Sequence, residues 1–280
     1  MAFSQAVLKE IEAVAAAQNI EAAALKAVIE VESGGRAMSK VDGRDMPLIL
    51  YEFHVFYRYT GLTDAQRSEA VSRKLAARRW GDLPYAKSQS ARYNQLARAA
   101  KINEQAAYAA CSWGVGQVLG ENAEWLGYGT PKALAEKAME GVAGQIEVML
   151  AFVRKAGLMD ELQARDWRGF ARRYNGPGQV DFYSTRMAAA YKRHAGDAWQ
   201  PSTRPAGSLR VGAKGEHVAE LQRKLRSLGF HLHVDGDYGP ATVRMVKQFQ
   251  AENGLTPDGH AGPMTMARIE ALSSSVSPVS

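Results

Sequence analysis

The sequence predicts a mainly α-helical fold with at most one small β-hairpin, followed by a small three-helix unit. Three observations carry this. Apolar residues recur at helical spacing through most of residues 1–199. A single stretch, residues 47–59, rich in Leu, Ile, Tyr, Phe and Val, departs from that pattern. Residues 200–208, with two prolines, a glycine and small polar residues, then precede a near-repeat of turn residues.

Val7, Leu8, Ile11 and Val14 form a first apolar stripe, and Leu25, Val28 and Ile29 a second on a helix over 20–33 that Gly34-Gly35 ends. Further helices are expected over 63–80, 88–101, 132–155 and 180–195, with Thr63 and Ser88 as N-caps. Residues 47–59 read as a short strand or an irregular buried stretch. Residues 200–208 read as an exposed linker. Beyond them, Asp235-Gly-Asp-Tyr-Gly-Pro-Ala-Thr242 echoes Asp258-Gly-His-Ala-Gly-Pro-Met-Thr265, each a turn leading into a helix. Val218, Leu221, Leu225 and Leu228 make one helix face there, and Val243, Val246, Phe249 and Gln250 another. The expected organisation is a large domain at 1–199, a linker at 200–208, a small domain at 209–272 and a flexible tail at 273–280.

The chain has 280 residues and a formal charge of +6, which suits an acidic partner: nucleic acid, an anionic lipid surface or an anionic wall polymer. Residues 67–101 concentrate the excess, with nine Lys/Arg (Arg67, Arg73, Lys74, Arg78, Arg79, Lys87, Arg92, Arg98, Lys101) against Glu69 and Asp82. That segment is either a solvated helix face or an attractor of substrate. No nucleic-acid reading motif accompanies it, so nucleic acid is not the expected partner. Cys111 is the single cysteine, which excludes an internal disulfide and a Cys-based metal cluster. Among His54, His194, His217, His231, His233 and His260 only His231 and His233 are close, and no ligand partners stand at familiar spacings, so no metal or cofactor is expected. There is no Gly-x-Ser-x-Gly elbow for a serine hydrolase. No run of about 18 apolar residues occurs, so stable membrane insertion is not expected. Acidic residues near the N-terminus argue against a signal peptide.

Glu32 is the leading candidate for chemistry. It lies at i+7 from Leu25, i+4 from Val28 and i+3 from Ile29, which puts a carboxylate at the end of an apolar helix face. Partial desolvation and the negative end of the helix dipole both disfavour its ionised form, as a general acid requires. Glu30 serves as the control: it turns away from that face, with Lys26 four residues before it as an expected exposed ion-pair partner.

Val31-Glu32-Ser33-Gly34-Gly35, Ser112-Trp113-Gly114-Val115-Gly116-Gln117-Val118 and Tyr174-Asn175-Gly176 occur in an order that resembles the lysozyme-like superfamily. With Ile49-Leu-Tyr-Glu-Phe-His-Val-Phe56 between the first two, the chain is most similar to the N-acetylmuramidase family of phage endolysins. The resemblance implies a lysozyme-like helical catalytic domain cutting the β-1,4 bond between N-acetylmuramic acid and N-acetylglucosamine in bacterial peptidoglycan. It implies Glu32 as general acid, Ser33 supporting that loop, and Gln117, Tyr174 and Asn175 along the saccharide cleft. Trp113 as pure core, and residues 174–177 as a simple helix-ending turn, remain the plainer alternatives. The same superfamily contains lytic transglycosylases, which leave 1,6-anhydro ends, and a non-catalytic wall-binding protein is a third reading.

Glu52 is the candidate second carboxylate. If residues 47–55 are extended, Leu48, Leu50, Glu52 and His54 share one face, and Glu52 either orients water or stabilises positive charge, or merely caps a backbone amide. Asp42, Asp45, Asp64 and Asp181 are weaker options. Residues 209–272 resemble the three-helix peptidoglycan-binding domain, with Asp235, Tyr238 and Gln250 as candidate ligand contacts. The resemblance further implies a monomer with peptidoglycan as partner, held in the cytoplasm of a bacterial host until released onto the periplasmic or extracellular wall.

Overall fold

The structure, a computed structural model, describes residues 3–198, 209 and 211–275. The expected linker at 200–208 lies outside the described residues, as do 276–280.

The chain opens with α1 (Gln5–Ala17) and α2 (Ala22–Ser33), then the hairpin β1 (Met38–Val41) and β2 (Arg44–Pro47). Next come β3 (Ile49–Tyr51), α3 (Phe53–Arg58), α4 (Asp64–Ser72), α5 (Gln89–Ala100), α6 (Glu104–Ala109), β4 (Cys111–Trp113) and β5 (Val118–Leu119). The remainder is helical: α7 (Ala123–Leu126), α8 (Pro131–Met139), α9 (Val142–Lys155), α10 (Met159–Gln163), α11 (Trp167–Tyr174), α12 (Val180–Ala195), α13 (Glu216–Ser227), α14 (Pro240–Glu252) and α15 (Pro263–Ser275).

The mainly helical class holds. Among the described residues the strands form two small antiparallel sheets, β1-β2 and β3-β4-β5, where at most one hairpin is expected. Two-residue and three-residue strands carry little periodicity of their own. Residues 47–59 divide into strand and helix: the Glu52 N–H donates to Ala110 O at 2.7 Å, and beyond it Phe53 and Phe56 are buried with helical spacing. The expected alternation of faces therefore ends at Tyr51.

Two helices are shorter than their periodicity suggested. α4 stops at Ser72, because Lys74 takes a left-handed φ of 55° and the Leu75 N–H turns back to Ala70 O. The pattern over 132–155 is broken between α8 and α9 at Gly141, whose φ is 139°. Thr63 and Ser88 do cap α4 and α5, accepting from Gln66 and Ala91 N–H groups.

Contacts divide the chain into two compact units: residues 1–152 with 189–194, and residues 153–188 with 195–280. The first has a core that includes Leu25, Ile29, Ile49, Tyr51, Phe56 and Trp113, all nearly inaccessible. In the second, α10 packs against α15 of the C-terminal three-helix unit. The sequence reading places 153–188 in one domain with everything before the linker. Close approach explains the grouping: a Cβ on Gly262 would fall 1.9 Å from Asp160 Oδ2, and one on Gly157 would fall 2.8 Å from Asp258 Oδ2. α15 also runs through Ser275, past the expected boundary at 272. Among the described residues no helix is long and apolar enough to cross a membrane.

Candidate active site

Glu32 stands in the last turn of α2, half-buried. Leu25, Val28 and Ile29 on the same helix are fully buried, so the carboxylate sits at the end of a core-facing stripe. Gly34 closes the helix in the left-handed conformation, its N–H on Glu30 O. Ser33 is buried and donates its hydroxyl to Ile29 O at 2.7 Å, which ties the last turn to the one before it. Glu30 turns to Arg193 and to His194 Nε2, the latter at 2.7 Å. Lys26 pairs instead with Glu12, which corrects the expected Lys26–Glu30 pair.

α2 packs against a turn at 114–116 that follows β4. The Gly114 N–H bonds Leu48 O at 2.8 Å. Gln117 holds a left-handed φ of 48°, a conformation that costs a side-chain-bearing residue roughly 1–2 kcal/mol. Its own Nε2 stabilises it by donating to Gly114 O at 2.7 Å. From α9, the buried Gln145 accepts the Val115 N–H at 3.0 Å and donates to Met38 Sδ at 3.2 Å. Thus Ser33 secures the end of α2, and Gln117 secures the turn against which that helix packs.

Gly114 is required in that frame. Its φ is 65°, and a Cβ there would lie 2.7 Å from Gln145 Cγ. Gly114→Ala is expected to lower stability by about 2–4 kcal/mol, read as a drop in melting temperature.

Glu52 occupies a different end of the same sheet. In the register Ile49 faces Trp113 and Tyr51 faces Cys111, so Glu52 lies opposite Ala110 while Gly114 lies opposite Leu48. Four residues of strand, roughly 13 Å, separate the two positions along the strand direction. Tyr85 donates its hydroxyl to Glu52 Oε2 at 2.6 Å, and His54 Nδ1 lies 3.4 Å from the same oxygen. Burial, then the bond to Glu52, pushes the Tyr85 hydroxyl up to about 12, so it keeps the proton it donates. α5 braces β3 with side chains: Gln89 bonds both the N–H and the carbonyl of Ile49, Arg92 reaches Ile49 O at 2.9 Å, and Tyr93 reaches Pro47 O at 2.8 Å.

The other carboxylates have cationic neighbours or sit at a turn. Asp45 pairs with Lys40, Asp64 with Arg67 and Asp181 with Arg168. Asp42 occupies the hairpin turn at φ 49°. Trp113 is core: it is 1% exposed and stacks on Tyr108. Cys111 is fully buried, and burial pushes its thiol far up, out of reach of thiolate chemistry. Among the described residues no group of His, Cys, Asp or Glu is placed to hold a metal ion.

Tyr174 and Asn175 belong to the second unit. Tyr174 ends α11, stacked on Phe170 at 5.1 Å between ring centres, and Asn175 caps that helix through its N–H to Ala171 O. In the three-helix unit the near-repeat becomes two knots of the same design. Gln222 Nε2 donates to Asp235 Oδ1 (2.7 Å) and Thr242 Oγ1 (3.0 Å), and its Oε1 accepts the Asp235 and Gly236 N–H groups. Gln250 repeats this with Asp258 Oδ1 (2.8 Å), Thr265 Oγ1 (3.0 Å) and the Gly259 N–H. Tyr238 is fully buried, donating to Gly259 O and accepting from the Ala261 N–H. The expected role of Tyr238 and Gln250 as ligand contacts does not fit burial of this degree, for both hold the turns from inside. Asp235 is exposed, with Oδ1 engaged in the first knot.

Comparison with known proteins agrees with this architecture. The N-acetylmuramidase family matches residues 21–195, and a putative peptidoglycan binding domain matches residues 214–269. The crystal structure of a Burkholderia AP3 phage endolysin superposes with a TM-score of 0.57 at 30% identity, covering 69% of this chain and 71% of that one. Among curated relatives, a zinc D-Ala-D-Ala carboxypeptidase of Streptomyces albus G is 42% identical over 69 residues, which are 24% of this chain and 27% of that protein. The N-acetylmuramoyl-L-alanine amidase CwlM of Mycobacterium tuberculosis is 44% identical over 64 residues, 22% and 16% of the two chains. The chain thus spans less than a third of either of these curated relatives, and they carry different activities. With the family match reaching across α2, the 114–117 turn and α11, the chain belongs to the N-acetylmuramidase family.

Proposed function

We propose that this chain cleaves the β-1,4 bond between N-acetylmuramic acid and N-acetylglucosamine in bacterial peptidoglycan, with Glu32 giving its proton to the glycosidic oxygen. The observation that carries the reading is the position of Glu32: half-buried, at the end of a core-facing helix that packs against a turn held by Gln145 and by Gln117 itself. Ser33 keeps that helix end in place. Gln117, Tyr174 and Asn175 are the proposed saccharide contacts, and residues 209–272 the wall-binding domain. Glu52, expected as a second catalytic carboxylate, is held by Tyr85 at the far end of the sheet, and its proposed role is instead to position the loop of residues 73–87. The likeness to a phage endolysin supports action on the bacterial wall; the proposal includes a monomer that waits in the bacterial cytoplasm until released, without nucleic-acid partner or membrane insertion.

One observation favours a second reading. Glu52, Asp45, Asp64 and Asp181 each already face a hydrogen-bond or ion-pair partner, which suits chemistry run by a single carboxylate, including transglycosylation. Mass spectrometry of a peptidoglycan digest distinguishes them. Hydrolysis leaves reducing ends that carry one added water; products ending wholly in 1,6-anhydro sugars would replace hydrolysis by transglycosylation.

A further inference from the structure

We propose that a cavity of about 1060 Å³ between α3, α4 and the loop of residues 73–87 binds the free carboxylates of peptidoglycan stem peptides. The inference rests on the proposed glycan cleavage for its substrate. Its residues are distinct from Glu32 and the 114–117 turn.

Arginine and one aromatic ring dominate the cavity chemistry. The guanidinium of Arg67 lies 5.5 Å from the centre of the Tyr57 ring and that of Arg78 5.8 Å. Arg67 donates through Nε to Tyr57 O and through Nη1 to Asp64, while Arg79 lies 3.5 Å from Asp82. Arg78 is different. Its Nε donates to the Tyr57 hydroxyl at 2.8 Å, and it has no carboxylate partner among the described residues. That bond fixes the guanidinium and leaves its outer nitrogens for a ligand. A planar fork of N–H donors matches a carboxylate better than an ammonium does.

Three arginines against Asp64 and Asp82 leave one positive charge on the lining. Val71, Ala76, Ala77 and Leu83 supply apolar wall between the charges. This combination suits a short peptide bearing isolated carboxylates and methyl groups. A polyphosphate would meet both aspartates and find one unpaired cation. The volume lies just above the range of small-molecule sites, about 300–1,000 Å³.

Position supports the same ligand. Tyr57 follows Glu52 by five residues on α3, a rise of about 7.5 Å. The loop that lines the cavity also carries Tyr85, the donor to Glu52. A glycan strand bound near that loop would therefore carry its lactyl-linked peptide past the mouth of the cavity. The basic segment 67–101 thereby divides into parts: Arg92 braces β3, Arg73 pairs with Glu69, and Arg78 faces a ligand site.

The test uses the full chain in isothermal titration with three probes. These are a synthetic stem tetrapeptide with free carboxylates, the same peptide fully amidated, and polyglycerol phosphate. The free peptide should bind at least about tenfold more tightly than the other two, and Arg78→Gln should remove about that factor. Arg78→Lys, which keeps the charge and loses the fork, should fall between, and serves if the Gln variant misfolds. On substrate, Arg78→Gln should raise KM for peptide-bearing glycan about fivefold more than for glycan stripped of peptide by an amidase. Equal binding of the free and amidated peptides, tighter binding of polyglycerol phosphate, or an equal KM change on both glycans overturns the proposal. A chain that binds the peptide yet cuts no glycan refutes the proposed function and leaves this site standing; the converse result does the opposite.

Discussion

Glu32→Gln is expected to slow wall solubilisation by at least about 1,000-fold while leaving the melting temperature and wall binding close to those of the parent chain. Glutamine keeps the shape and removes the transferable proton. The bonds of the frame run between other groups: Ser33 still bonds Ile29 O, Gln145 still holds Val115, and Gly34 still closes the helix. Glu30→Gln is the matched control two residues away. It loses pairs to Arg193 and His194, worth about 1 kcal/mol or less, and should lyse walls at near-parental rate. Turbidity of a wall suspension, with melting curves for all three chains, checks both. Retained lysis by Glu32→Gln would remove the assignment of the general acid.

A second large effect is expected at Asp160, where α10 meets the second knot of the three-helix unit. Burial is the main reason its carboxyl is pushed up to about 7, and the charges of Asp258 and Glu161 add to it; His260 and the Gly262 amide oppose. Glu161 in turn pairs with Arg173 at 2.9 Å, and His260 Nδ1 lies 3.5 Å from Asp258. The folded chain therefore holds a proton on Asp160 that the unfolded chain releases near pH 3.9. The stabilisation from this proton is complete below that value and is lost as pH rises through about 7. Asp160→Asn, neutral at every pH, should match the parent near pH 4 and exceed it at pH 8 by roughly 2–4 kcal/mol. Thermal unfolding across that range measures it. A constant offset between the two chains would mean that Asp160 is not the titrating group.

The parts of the site that were legible in the sequence are those encoded locally. The stripe Leu25, Val28, Ile29 fixed which face of α2 is buried and so singled out Glu32, and Gly34 marked where the helix stops. The turn-helix near-repeat likewise announced α14 and α15. What escaped reading depends on residues far apart in sequence. Gln145 reaches Val115 across 30 residues, Tyr85 reaches Glu52 across 33 and Gln89 reaches Ile49 across 40. Nothing in the spacing of a glutamine on an amphipathic helix says which backbone amide it will meet. The same blindness made Tyr238 and Gln250 look like ligand contacts: a polar residue in a turn motif can face outward or lock the turn from within, and burial decides. Asp160 gave no signal at all, since its environment exists only where α10 and α15 pack.

The paired knots of the three-helix unit bear on how quickly it forms. Each glutamine closes onto a turn just after its own helix, Gln222 onto residues 13–20 positions ahead and Gln250 onto residues 8–15 positions ahead. Tyr238 then joins the two turns across 21–23 positions. Little chain entropy is lost in closing such short loops, so these contacts can assemble early and in either order. The larger unit must instead bring β3 and β4 together across some sixty residues, as in the pairing of Tyr51 with Cys111. After a transient unfolding, the three-helix unit should regain its form well before the frame around Glu32 does, and the chain would hold to its surface before it could act on it.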